Sequence, residues 1–176
     1  MSADSGEYMD AAGGGHTSDE LVVRLATQED SQDMLFWRND PYTCAMCGTR
    51  EIVSATRHQE WFSFALRDPL ARIFIGEFNG KKLGVCRFNF DPERNLAEVS
   101  INMNPLMRGK GLSKEFLRLS VIQYYIEKPI RLIAQIRREN NASIKLFASG
   151  GFTRQWEDAQ FLYFSASEYV PNPVKK

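Results

Sequence analysis

The alternation of apolar and polar positions divides the chain into elements of two periods. LVVRLA (residues 21–26) reads as a first strand, and Thr27 follows as a helix cap with Glu29 and Asp30 in the first turn, where negative charge favours a helix start. The segment EDSQDMLFWRND then offers Met34, Leu35 and Trp37 to a core before Asp40 and Pro41 stop it, and YTCAMCGTREIV is open between a short helix and a loop. Ser54 caps a clearer helix, ATRHQEWFSFALRD, in which Trp61, Phe62, Ala65 and Leu66 recur at helical spacing.

From Arg72 the period becomes that of strands. RIFIGEF and KLGVCRFNF flank Asn79-Gly80, the strongest short signal for a hairpin, and after the turn DPERN a third strand, LAEVSINM, puts Ala97, Val99, Ile101 and Met103 on one face. LSKEFLRLSVIQYYIEK returns to helical spacing and predicts Leu112, Phe116, Leu119, Ile122 and Ile126 as its buried stripe. Pro129 ends that region. IRLIAQI is a short buried strand, NASIKLFASG a helix closed by Gly150 and Gly151, and FTRQWEDAQFLYFSA a terminal hairpin. The order β-α-α-β-β-β-α-β-α-β-β predicts an α+β fold, a mixed and mostly antiparallel sheet with helices on both faces.

Composition narrows the class. A chain of 176 residues with 43% hydrophobic and 25% charged residues suits one domain, expected over residues 21–176. Residues 1–20 carry a run of three glycines and no lysine or arginine, and read as a flexible tail; His16 within it receives no role. That tail has neither the basic start nor the apolar stretch of a secretory signal, so the cytoplasm is the expected location. No apolar run approaches the roughly 20 residues that cross a bilayer, and the formal net charge of zero gives little basis for a nucleic-acid partner. Cys44 and Cys47 have C-x-x-C spacing, but His58 and Cys86 are all that remain to complete a tetrahedral site, and ordinary thiols with no metal are expected.

The candidate chemistry begins at MNPLMRGKGLSKEF (residues 103–116). Two glycines and two cations between a strand and a helix form a cradle for an anion, because the first amides of a helix have no partner within it. A Walker A loop does not fit, since Asn104 and Gly111 stand where Gly and Ser or Thr belong; a dinucleotide fingerprint does not fit, since Lys114 stands at its third Gly.

Arg108-Gly109-Lys110-Gly111-Leu112-Ser113 resembles instead the R/Q-x-x-G-x-G/A loop of the GNAT superfamily of acyl-CoA-dependent N-acyltransferases, with Ser113 in place of Gly or Ala. ENNASIKLFASGGF is similar to that family's closing motif, with Asn140, Ser143, Leu146, Gly151 and Phe152 in register, and the resemblance spans about residues 21–164. It implies the GNAT fold, acetyl-CoA as co-substrate and a small amine acceptor, with a homodimer admitted. The loop from Arg108 to Ser113 would wrap the pyrophosphate, the backbone at Ile101 and Met103 would hold the pantetheine and the thioester carbonyl, and the helix bearing Asn140, Ser143 and Phe147 would lie beside the pantetheine arm. Many members carry Tyr where this chain has Phe147, which has no proton to give a departing thiolate; Ser143, Tyr124 and Tyr125 are the other hydroxyls considered.

An amine of pKa about 10.4 is almost wholly protonated at neutral pH, so a base is useful. Glu98, on the strand before the loop, is the first candidate, with a cross-strand pair to Arg87 as the alternative; His58 is the second, with a merely solvated histidine as the alternative. FWRND, IVSATRHQEWF and GVCRFNF resemble the branch that acetylates nucleotide-linked amino-deoxy sugars, of the pseudaminic acid pathway type, and this would place Trp37, Arg38, Asn39, His58, Trp61 and Phe62 on the acceptor side. Arg38, Arg57 and Arg87 would then meet the phosphates. On spacing alone Trp61 and Phe62 fit a core equally well. Acetylation of a protein N-terminus or another small amine is the rival reaction, and an acetyl-CoA sensor without turnover is the rival class.

Overall fold

The computed structural model describes residues 20–166, so the tail expected over residues 1–20 lies outside it apart from Glu20. Seven strands, β1 (Leu21–Leu25), β2 (Ala71–Phe78), β3 (Lys81–Asp91), β4 (Leu96–Met103), β5 (Arg131–Arg137), β6 (Thr153–Glu157) and β7 (Phe161–Ala166), form one sheet in the order β1-β2-β3-β4-β5-β7-β6. Among the described residues five α-helices accompany them, α1 (Ser31–Arg38), α2 (Pro41–Met46), α3 (Ala55–Ala65), α4 (Ser113–Glu127) and α5 (Asn141–Ser149), besides two short 3-10 turns at Gln28–Asp30 and Pro105–Met107. Among the described residues no helix is long and apolar enough to cross a membrane.

Local chemistry explains most of the boundaries. Asn79 and Gly80 both have positive φ, 49° and 70°, the two-residue turn whose twist suits the β2–β3 hairpin. Ser54 accepts the Arg57 amide at 3.3 Å and starts α3. The segment left open between helix and loop is α2: Asp40 accepts the Thr43 amide at 3.0 Å, and Pro41 occupies the first helical position, where no amide is needed.

The sheet buries both faces. On one, α4 and α5 cover Phe74, Leu83, Phe88, Ala97, Val99 and Leu132; on the other, α1 and α3 bring Met34, Trp37, Phe62 and Ala65 onto Ile73, Ile75 and Val85. The buried stripe of α4 differs from the expected one. Phe116, Leu117, Ser120, Val121 and Tyr124 face the core, while Ile126 is 73% exposed. Both stripes contain Phe116 and both are largely apolar, so spacing alone does not separate them; the Tyr124 ring stacks on Phe88 at 4.3 Å and turns the helix to that side.

Two features position the site. Asp30, wholly buried, takes 2.8 Å contacts from Arg24 and Lys82 and from the Thr27 amide, tying the start of α1 to β1 and β3. Burial alone would push its carboxyl up, but these partners outweigh that and hold it well below the usual carboxylate range. The second feature is a split in the sheet. β4 and β5, the parallel pair, are in register only over Leu96–Arg131, Ala97–Leu132 and Glu98–Ile133, and beyond this β4 continues to Met103 without β5 beside it.

Candidate functional site: one cavity between a glycine loop and an arginine-lined wall

The split opens into a cavity of about 740 Å³. At one end the wall is backbone. β4 leads through a short turn in which Asn104 accepts the Leu106 amide at 3.0 Å and donates to the Lys82 carbonyl at 2.9 Å, fixing the start of the loop. Gly109 and Gly111 follow at φ 75° and 74°, conformations that side chains resist, and a Cβ at Gly111 would meet only open space. Leu112 precedes α4 and offers no side-chain cap, so the first amides of a 15-residue helix stand at the cavity wall unsatisfied by side chains. Lys110 is beside them, its Nζ 3.5 Å from the Met107 sulfur. This is a fit for a pyrophosphate: open space, exposed amides, the positive end of a helix and a cation.

Gly109, Lys110, Gly111, Leu112, Ser113, Ile101, Met103, Asn140 and Ser143 all line this cavity. Asn140 caps α5 by accepting the Ser143 amide at 3.1 Å, which holds both at the start of the helix. Arg108 also lines the wall, but its guanidinium is engaged elsewhere, at 2.7 Å from both Asp40 and the Thr43 hydroxyl on α2. Thr43 in turn donates to Asn102 at 3.1 Å. Burial raises the Asp40 carboxyl, while the Thr43 amide and Arg108 outweigh it and keep it below its ordinary range. Arg108 is thus a strut from the glycine loop to α2. Phe147 is a correction. It is 3% exposed, sits edge-on to Phe152 in the core and does not line the cavity, because its position on α5 faces the sheet. Tyr124 is also in the core and Tyr125 is not part of the lining; Ser143 is the one of the three proposed hydroxyls that is.

At the other end the wall is side chains. His58 is 4% exposed, stacked on Phe62 at 5.6 Å, with Nε2 unpartnered. Burial holds its pKa below the ordinary histidine value, so the ring is neutral at pH 7. Trp61, 38% exposed, lines the cavity beside it, and the Arg87 guanidinium lies over the indole at 5.1 Å. Arg38 reaches Thr49 at 3.0 Å and the Cys44 sulfur at 3.5 Å. The other expected acceptor-side residues divide. Trp37, 1% exposed, and Phe62, wholly buried, belong to the core. Asn39 is consumed by a two-way bridge to the Val53 backbone, 2.8 Å in each direction, and pins the strap of residues 47–53 across the opening. Glu98 is exposed and paired in register with Asn89, on the face that Ser100 and Asn102 share, but outside the cavity lining.

The strap itself escaped the sequence reading. Cys47, Thr49, Glu51 and Val53 line the cavity from it, and Arg137 holds it through the Cys47 and Gly48 carbonyls at 2.7 and 2.6 Å. The available signal was Asp40-Pro41, a helix start that would have placed these residues after a short α2. Among the described residues, no group of three or more His, Cys, Asp and Glu is placed to hold a metal.

No match appears among curated proteins. Solved structures share the fold. A spermidine N-acetyltransferase from Vibrio cholerae, in complex with CoA and spermine, superposes with a TM-score of 0.73 at 14% identity over 86% of this chain and 97% of its own. An N-acetyltransferase from Staphylococcus aureus Mu50 gives 0.69 at 25% identity over 84% and 98%. The aminoglycoside acetyltransferase AAC(6')-Ib with coenzyme A gives 0.71 at 17% identity over 84% and 95%. The model of the acetyltransferase (GNAT) domain matches residues 20–153, most of the chain and both ends of the cavity. The chain belongs to the GNAT acetyltransferase family and is an acetyl-CoA-dependent N-acetyltransferase.

Proposed function

We propose that this protein acetylates the amino group of a nucleotide-linked amino-deoxy sugar. The observation that carries the reading is that one cavity joins the glycine loop to a wall made of His58, Trp61, Arg38 and Arg87. Acetyl-CoA supplies an activated thioester; the residues of this chain bind, orient and move the proton. The amides at the start of α4 with Lys110 receive the pyrophosphate, and the freed edge of β4 near Ile101 and Met103 aligns the acyl arm and places backbone donors at the carbonyl.

His58 is the base of this proposal. It is neutral and its ring borders the cavity, and its Nε2, buried without a partner, accepts the proton that the amine must lose once a bound acceptor and its water reach it. Glu98, outside the lining, is left to the sheet surface. The thiolate then takes a proton from solvent, directly or relayed by the Ser143 hydroxyl at the start of α5, which passes on one proton as it receives another. On the acceptor side, the exposed part of the Trp61 indole that Arg87 does not cover is a surface of the kind that sugar rings and bases stack on.

The test is release of free CoA with equal concentrations of a nucleotide-linked amino sugar, the same sugar without its nucleotide, and peptides with free N-termini. The linked sugar is expected to be fastest. Peptides outperforming both sugars would overturn the acceptor, and equal rates for the two sugars would remove the nucleotide from it.

A further inference from the structure

Arginines on this molecule are mostly held by carboxylates: Arg24 by Asp30, Arg72 by Glu127, Arg108 by Asp40. The two that face the interior of the acceptor end are not. Arg87, half-buried on β3, engages only Nε, with the Ser100 hydroxyl at 3.3 Å, and is laid over Trp61. Arg38 engages a hydroxyl and a sulfur. Among the described residues neither has an ion-pair partner, and Glu98 acts on Arg87 only at a distance. Glu51, the one carboxylate in the lining, is exposed and sits 3.8 Å from Arg57, a rim pair.

A guanidinium removed from water without a counter-charge is unfavourable unless something anionic completes it. The contact with Trp61 and the bond to Ser100 hold Arg87 in place, and among the described residues its two terminal nitrogens have no hydrogen-bond partner, which leaves the fork that takes a carboxylate or phosphate by paired bonds. We infer that Arg87, assisted by Arg38, is an anion receptor inside the acceptor pocket: an acceptor must carry a phosphoryl or carboxylate group as well as its amine, and purely cationic amines are rejected. Arg57, exposed at the rim and loosely paired with Glu51, is not part of this receptor. The inference rests on the acetyltransferase reading but not on the amino sugar.

The test uses one amino sugar in three forms, free, as its phosphate ester and as its carboxylate counterpart, with spermidine as the cationic comparator. The wild type is expected to favour the anionic forms, and the faster of the two names the source of the charge. Arg87→Gln should lower kcat/KM for the anionic acceptors about 100-fold, far more than it lowers that for the free sugar, and leave the KM for acetyl-CoA unchanged. Arg38→Gln should act in the same direction more weakly, which keeps the test open if the Arg87 variant folds poorly. In the wild type at saturating acetyl-CoA, inorganic phosphate should raise the acceptor KM more than chloride at equal ionic strength. Spermidine or the free sugar turning over as fast as the anionic forms, equal loss for all acceptors in Arg87→Gln, or equal effects of the two salts would overturn the receptor. Absence of transfer to every amine would instead overturn the acetyltransferase reading on which it stands.

Discussion

The two ends of the cavity are built from different materials. The glycine-loop end, the proposed cofactor side, is backbone: amides at the start of α4, glycines at positive φ and the unpaired edge of β4. The arginine-lined end, the proposed acceptor side, is side chains carried by α1, α3, β3 and a strap of irregular chain. A backbone cradle recognises a part common to every acyl-CoA, and its geometry depends on a few glycines. A side-chain wall recognises what is particular to one acceptor, and its geometry depends on how separate elements meet. The strut of Arg108 to Asp40 and Thr43 is where the two are joined.

This contrast can be broken at either end. The largest expected effect is at the glycine loop: Gly111→Asp puts a side chain at φ 74° and a negative charge where the pyrophosphate approaches, and acetyl-CoA binding by calorimetry should fall more than about 100-fold while the melting temperature drops by only about 3–6 °C. Next is the base. His58→Gln should reduce kcat about 100-fold and alter the pH profile. Because burial lowers the folded pKa of His58 beneath its ordinary value near 6.5, the wild-type rate should steepen only below that value, as the ring gains a proton, and the variant should lose that extra steepness. The same shift has a stability consequence of definite sign: the unfolded chain binds the proton more readily, so stability contributed by His58 is full above about pH 6.5 and declines as pH falls toward the folded value.

A smaller effect sharpens the link between the ends. Asp40→Asn loosens the strut, and the acceptor KM should rise about tenfold while acetyl-CoA affinity changes by less than about twofold, because the amides of the loop remain in place. The smallest tests the rotated stripe of α4. Ile126→Ala should change stability by less than about 0.5 kcal/mol, since Ile126 is 73% exposed, whereas Leu117→Ala should cost about 3 kcal/mol in a denaturant titration.

The sequence was most legible where a local pattern dictates local geometry. Asn79-Gly80, the Ser54 cap and the glycines at 109 and 111 each require a particular backbone, and each stands where spacing placed it. Legibility declined where neighbours in sequence part company in space. Trp37, Arg38 and Asn39 were read as one acceptor-facing unit, yet successive helical positions point about 100° apart: Trp37 enters the core, Arg38 the cavity, and Asn39 closes on Val53. Phe147 fails for the same reason, since a motif position does not say which side of α5 meets the sheet. The strap of residues 47–53 had no periodic signal at all, because Arg137, far along the chain, is what holds it.

The most direct measurement is the balance of products when the wild-type protein is given acetyl-CoA and a nucleotide-linked amino sugar, with free thiol and the mass of the sugar followed together. Release of CoA matched mole for mole by an N-acetylated sugar, and dependent on His58, is the predicted result. Acetyl-CoA that binds tightly but is released intact, with thiol appearing no faster than without acceptor, would contradict it.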